Sequence, residues 1–167
     1  MDEIKNRVAS SALVSLDLEE LVSIEGEIET IDIKEALFQG MVLKEADFRE
    51  YIKNKDWSAY QGKNIGIHCS SDAIVPTWAF MLAALALAPY ARRVEFTDRQ
   101  GILEILFNEK LNQIDPEDYR DAKVVVKGCS SGEVPISAYV KLSVLLAPVV
   151  KSIMFGEPCS TVPLFKR

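Results

Sequence analysis

The stretch Asn64-Ile-Gly-Ile-His-Cys-Ser-Ser-Asp-Ala-Ile-Val-Pro76 has a second version later in the chain, Lys123-Val-Val-Val-Lys-Gly-Cys-Ser-Ser-Gly-Glu-Val-Pro135. Each leads into an apolar run that stops at another proline, Pro89 or Pro148, and then into a segment closing on Phe96 or Phe155. The two prolines are thirteen residues apart in both copies, and the second proline is seven residues from the phenylalanine in both. The interval from cysteine to first proline differs by one, seven residues in the first copy and six in the second. Both copies read strand, Cys-Ser-Ser, loop, Pro, helix, Pro, strand. Self-similarity of this kind is the mark of a duplicated supersecondary unit.

A strand–helix–strand crossover of this length predicts a right-handed βαβ unit with parallel strands. The fold class is therefore α/β, a mostly parallel sheet with helices on both faces built from two repeated units, 64–96 and 123–155. The whole chain, 1–167, reads as a single α/β domain. In the first copy the strand Ile65–Cys69 precedes a helix opened by Pro76, whose missing N–H costs nothing at a first turn. Trp78, Met81, Leu82, Leu85 and Ala88 are expected to face the core. The second copy gives strand Lys123–Lys127, helix Ile136–Ala147 and strand Ser152–Phe155. Tyr139, like Trp78, is expected to pack in the core.

Upstream, residues 1–10 read as a short helix or loose arm. Val14, Leu16 and Leu18 alternate with polar residues as a strand does. Ile28, Ile31 and Ile33 suggest a second strand, and these N-terminal strands are expected to be antiparallel at an edge. Asp32-Ile-Lys-Glu35 has the form of a capping box, with a short helix ending at Gly40. Lys44 to Asn54 is an amphipathic helix with Phe48, Tyr51 and Ile52 on its buried face. Asp98 is placed to cap a helix over Gln100–Asn112 whose apolar face is Ile102, Leu103, Ile105, Leu106 and Leu111. Asp115-Pro-Glu-Asp-Tyr119 is a turn, and 156–167 a tail.

Charge and composition narrow the function classes. The chain has 167 residues, 49% hydrophobic and 26% charged, with a net charge of −6. No basic stripe is present to neutralise phosphates, which argues against nucleic-acid and anionic-membrane partners. The N-terminus carries acids and lacks the apolar core of a signal peptide. The longest apolar run, Ile74 to Ala91, is broken by prolines and too short to span a bilayer. Three cysteines in no paired framework suit a reducing compartment, so a cytoplasmic location is expected.

The chemistry rests on those cysteines. Ligands in open parallel sheets bind at the carboxyl ends of the strands. Cys69, Cys129 and Cys159 each follow such an end, so one edge of the sheet would gather all three if the two repeats are neighbours. With His68, the only histidine, they form a candidate site for zinc or iron. Helix N-termini after each Cys-Ser-Ser would favour thiolates. Ser70, Ser71, Asp72, Ser130, Ser131, Glu157, Ser160 and Thr161 are the accompanying ligand- or anion-binding candidates. Each has a plainer reading beside it. Free cysteine often serves as a small hydrophobe, Ser-Ser makes turns, Asp72 suits a helix cap, and His68 suits a satisfied strand position. Glu133 matches Asp72 in the second loop.

No Walker loop, no Gly-x-Gly-x-x-Gly and no Cys-x-x-Cys occurs. Six residues after Cys69 and Cys129 stand Val75 and Pro135, not the arginine of a cysteine phosphatase cradle. The residues leave open whether the protein is an enzyme. Three readings remain: a thiolate site handling metal or sulfur, a non-catalytic scaffold with structural cysteines and an apolar patch or homodimer interface, and an enzyme binding a small anion at the two Cys-Ser-Ser loops.

Several segments together resemble a family found in Bacteroidetes, the domain of unknown function 2480 (DUF2480). They are Leu37-Phe-Gln-Gly40, Lys44-Glu-Ala-Asp-Phe-Arg49, Asp56-Trp57-Ser58, Cys69-Ser-Ser-Asp-Ala-Ile-Val-Pro-Thr-Trp78, Val126-Lys-Gly-Cys-Ser130 and Ser152-Ile-Met-Phe-Gly-Glu-Pro-Cys-Ser-Thr-Val-Pro163. The resemblance implies no activity. Genes of the family often sit near those for iron–sulfur cluster assembly, which implies iron or sulfur handling at the cysteines and iron–sulfur assembly proteins as partners.

Overall fold

The computed structural model describes residues 13–128, 133–157 and 159–167. The helix or arm expected over residues 1–10 lies outside them. The chain forms two compact units. One is continuous, Glu25–Ile102; the other is split, its residues 13–24 and Leu103–Arg167 flanking the first in sequence.

The inserted unit holds β2 (Ile28–Asp32), α2 (Glu45–Asn54), β3 (Asn64–His68), α3 (Thr77–Leu87) and β4 (Arg93–Phe96), numbered after β1 (Leu13–Leu16) and α1 (Leu18–Leu21) of the split unit. Its sheet runs β2-β3-β4, all parallel. The helix α4 (Arg99–Leu111) begins in the inserted unit and ends in the split one, which continues through β5 (Lys123–Val126), α5 (Ile136–Leu146), β6 (Ser152–Glu157) and β7 (Ser160–Lys166). Its sheet runs β1-β5-β6-β7, parallel except for the final antiparallel pair. The α/β class, the parallel pairing and both repeated units stand as the sequence indicates.

Two topological expectations change. The repeats lie in separate sheets, because each recruits its own N-terminal strand. Those strands do sit at sheet edges, yet both are parallel to their neighbours. Between β2 and β3 the chain makes a 3₁₀ turn (Ile33–Ala36), α2 and another 3₁₀ turn (Trp57–Tyr60), a connection long enough to return it for a parallel pairing. The antiparallel strand is β7, in the segment read as a tail. Its Pro163 disguises it in sequence, since proline within a run marks an edge strand or none.

The duplication is longer than the sequence motif. A constant offset of 59 relates Pro76 to Pro135, Pro89 to Pro148 and Phe96 to Phe155. It also relates α3 to α5, the 3₁₀ turn Trp57–Tyr60 to Pro116–Tyr119, and the caps Asp56 and Asp115, each accepting a backbone N–H two residues on at 3.0 Å. Gly62 and Asp121 both take left-handed backbone, φ 72° and 59°. Their N–H groups donate to the carbonyls of Tyr90 and Val149. Phe48 and Phe107, and the 0%-exposed Leu87 and Leu146, are buried at matching positions.

Each central strand is buried over most of its length, as a covered parallel strand should be. In β3, Ile65 and Ile67 pack with Phe48, Trp57, Ala79 and Ala83. On the opposite face Gly66 lies beneath the chain after β4, where a Cβ would come within 2.4 Å of the Thr97 carbonyl. Trp57 donates its indole N–H to the Ile52 carbonyl (2.7 Å), closing the turn after α2. Asp98 caps α4 through the Gly101 N–H (2.9 Å), as expected.

One helix is phased differently from the sequence reading. The core face of α3 is Ala79, Ala83 and Leu87, while Met81, Leu85 and Ala88 are exposed. Its sequence, Thr-Trp-Ala-Phe-Met-Leu-Ala-Ala-Leu-Ala-Leu, has no charge to mark a solvent side. Small residues let it approach the sheet closely, so the bulky ones turn outward. In α5 the buried residues are likewise Ala138, Leu142 and Leu146, with Tyr139 half-buried.

Candidate functional site

The Cys-Ser-Ser loop of the inserted unit is organised by a carboxylate from the neighbouring strand. Asp32 ends β2 and stands in register with His68, the last residue of β3. Its Oδ1 accepts the Lys34 N–H (3.0 Å), which caps the following 3₁₀ turn, and also the Ser70 N–H (3.0 Å). Its Oδ2 accepts the Ser70 hydroxyl (2.5 Å). Partial burial pushes the Asp32 pKa up, but the Ser70 hydroxyl and N–H, the Lys34 N–H and nearby His68 outweigh it and hold the carboxyl below its ordinary value. Sequence reading assigned Asp32 only to a helix cap; its tie to Ser70 has no signal in spacing.

Cys69 is half-buried. Its thiol lies 3.8 Å from the Ser71 carbonyl, to which it donates, and 3.6 Å from the Ser71 hydroxyl. That hydroxyl accepts the Ala73 N–H (3.2 Å). The loop thus engages its own donors. Ser70 points both of them at an internal carboxylate, where a bound anion would have had to sit. Nor does the loop abut a helix end: α3 starts at Thr77, with Pro76 rather than Asp72 at its N-cap. Asp72 is exposed and lines an open cleft of about 500 Å³ with Met41, Val42, Ser71 and Ile74. Gly40, expected to stop a helix, belongs to the turn of a small bridge between Phe38 and Val42.

In the split unit, Cys129, Ser130 and Ser131 lie outside the described residues. Glu133 is exposed. Glu157 and Ser160 form the closing pair of the β6–β7 hairpin, and Cys159 is exposed in its turn. Thr161 donates its hydroxyl to the Met154 sulfur (3.7 Å). β3 and its Cys69 belong to one sheet, β6 and the hairpin of Cys159 to the other. The sequence condition for gathering all three thiols, two repeats adjacent in one sheet, is therefore not met. Among the described residues no three His, Cys, Asp or Glu side chains are grouped closely enough to hold a metal ion.

Against known families, the pattern of proteins of unknown function designated DUF2480 matches residues 2–167. The chain belongs to the DUF2480 family. No curated protein and no solved structure matches it. Among the described residues of this DUF2480 chain, no helix is long and apolar enough to cross a membrane.

The feature sequence reading missed lies on the crossover helices of both units. Met81 and Leu85 on α3, and Ile136, Val140 and Val144 on α5, are large, apolar and exposed. Each set recurs every four residues, which makes one stripe per helix opposite its buried face.

Proposed function

We propose that this protein is a cytoplasmic, non-catalytic interaction module whose crossover helices dock against apolar protein surfaces. One observation carries the reading: two helices written as buried on all sides are covered on only one. α3 has no charged residue and α5 only Lys141. A helix apolar all round belongs in a core, and contiguous exposed apolar surface marks an interaction site. The stripe recurs in both halves of a duplicated fold, which sets it apart from scattered apolar residues.

A photo-crosslinking residue placed at position 81 or 140, with position 53 on α2 as control, tests this reading in the cells that make the protein. A defined adduct at 81 or 140 is expected, and the partner it identifies should lose binding to the Leu85→Glu or Val144→Glu chain in purified form. Labelling no stronger than at position 53 would sink the proposal.

A second reading has its own observation. Val126 and Phe155 are register partners on adjacent parallel strands. Cys129 follows the first by three residues and exposed Cys159 follows the second by four. A thiol pair there would suit zinc, iron or sulfur transfer in iron–sulfur cluster assembly, with assembly proteins as partners. Metal or sulfane sulfur retained by the purified chain and lost in Cys129→Ser and Cys159→Ser variants supports it; equal content in all three overturns it. The anion-binding reading is disfavoured in the first loop, where Asp32 already takes both Ser70 donors.

A further inference from the structure

The two units differ at one sheet edge. In the split unit the outer side of β6 is covered by β7, antiparallel, with Phe155 opposite Val162 and Ile153 opposite Phe165. Its counterpart β4 is the outermost strand of its sheet and has no strand beyond it among the described residues. The surroundings are otherwise alike. Phe96 meets Phe80 edge-on at 4.9 Å, and Phe155 meets Tyr139 edge-on at 5.8 Å. In the split unit Leu164 of β7 joins Tyr139, Val140, Val144 and Phe155 around a cleft of about 310 Å³. Phe155 is 37% exposed there, whereas Phe96 is 74% exposed.

We propose that a second copy of this chain supplies the missing strand, β4 pairing antiparallel with β4 of the second copy about a two-fold axis at Val94. The inference rests on the interaction-module reading and names the partner for the inserted unit. Three features select a second copy over an arbitrary strand. First, β4 is self-complementary in charge. Arg93 and Glu95 lie on one face, in contact at 3.0 Å. An antiparallel register centred on Val94 sets Arg93 opposite Glu95 of the second copy, and the reverse, and opposite charges across a strand pair attract.

Second, the helix spacing fits. α3 packs over both β3 and β4, and strands are about 4.8 Å apart. Continuing the sheet through the axis would therefore stand α3 and its symmetry mate about 10 Å apart, the distance at which helices pack. The flank of α3 beside Phe96 carries Phe80 and, one turn on, Ala84, so an apolar and partly small surface faces the mate. Third, pairing like edges is isologous, so the assembly closes at two copies and removes an open edge that invites uncontrolled pairing.

Sedimentation velocity on the full chain gives the test. A species of twice 18.6 kDa is expected at micromolar concentration. Arg93→Glu and Glu95→Arg, each alone, set like charges across the axis and should shift it to monomer, with circular dichroism confirming that each still folds. Mixing the two variants pairs Glu with Arg at every crossing and should restore the dimer, an outcome that a merely structural role for either residue would not give. A monomeric wild type overturns the proposal, as does a dimer indifferent to both substitutions or a mixture that stays monomeric. If a position-81 crosslinker nevertheless traps a different protein, the interaction-module reading stands and only the choice of partner fails.

Discussion

Leu85 and Leu87 stand two residues apart on one uncharged helix, and the structure gives them opposite fates. Leu87 is fully buried, 0% exposed, against the β2-β3-β4 sheet; Leu85 is 69% exposed. Truncating Leu87 to alanine removes buried methyl groups and leaves a cavity that rigid neighbours refill poorly, at a cost of about 3 kcal/mol. Full burial of a leucine is worth roughly 1.5–3 kcal/mol, so about a third of that, near 0.5–1 kcal/mol, is at stake at Leu85. For a chain of this size the melting temperature should fall by roughly 6–12 °C in Leu87→Ala and by about 2 °C in Leu85→Ala. Guanidinium titrations at high dilution, where association does not contribute, should show the midpoint shifting with an unchanged slope. Equal losses, or a larger loss at Leu85, would mean that α3 presents its other face to the sheet. The interaction stripe would then have to be abandoned with it.

Three more outcomes are expected. The Asp32 carboxyl is held below its ordinary value, so its contribution is fully present above the unfolded pKa of about 3.9 and disappears as pH falls through the folded one. The stability gap between wild type and Asp32→Asn should be level from about pH 5 to 7 and shrink on acidification; a gap that widens in acid contradicts the Ser70 tie. Gly66→Ala should destabilise by about 2–4 kcal/mol, because its Cβ meets backbone at the Thr97 carbonyl, whereas an unchanged melting point would place that segment elsewhere. In a pulse of alkylating reagent followed by peptide mapping, exposed Cys159 should label before half-buried, hydrogen-bonded Cys69. The opposite order would mean that the Cys69 loop opens more readily than its contacts suggest.

Periodicity read the regular parts of this chain well and the partnering of those parts poorly. The repeated prolines and phenylalanines made both βαβ units visible, because a fixed crossover length repeats fixed spacings. Which strands share a sheet is a non-local matter. Nothing in Leu13–Leu16 says that it pairs with β5 rather than with the nearer β2. Helix phase was legible where polar residues mark a solvent side, as around Phe48 in α2, and illegible in α3, where bulk was mistaken for burial. The expected adjacency of the two repeats in one sheet failed in the same way. Strand ends were located correctly for Cys69 and Cys159, but their gathering depended on a sheet order that the sequence does not encode locally. Asp32 escaped because an N-cap and a strand-to-loop tie present the same Asp in the same local context.

The interruption of one unit by the other bears on how the chain acquires its structure. Leu13 pairs with Lys123 and Leu16 with Val126, so β1 emerges during synthesis long before its partner. The inserted unit is one continuous stretch, Glu25–Ile102. Its two ends meet, with the Arg99 guanidinium donating to the Ile28 carbonyl at 2.9 Å. Once formed, it acts as a clasp on the intervening chain. That shortens the loop which β1 and β5 must close and saves about 1 kcal/mol of chain entropy. The connectivity therefore favours one order of assembly: the interior half is continuous in sequence and can form first, and its closure shortens the chain between the two separated pieces of the other half.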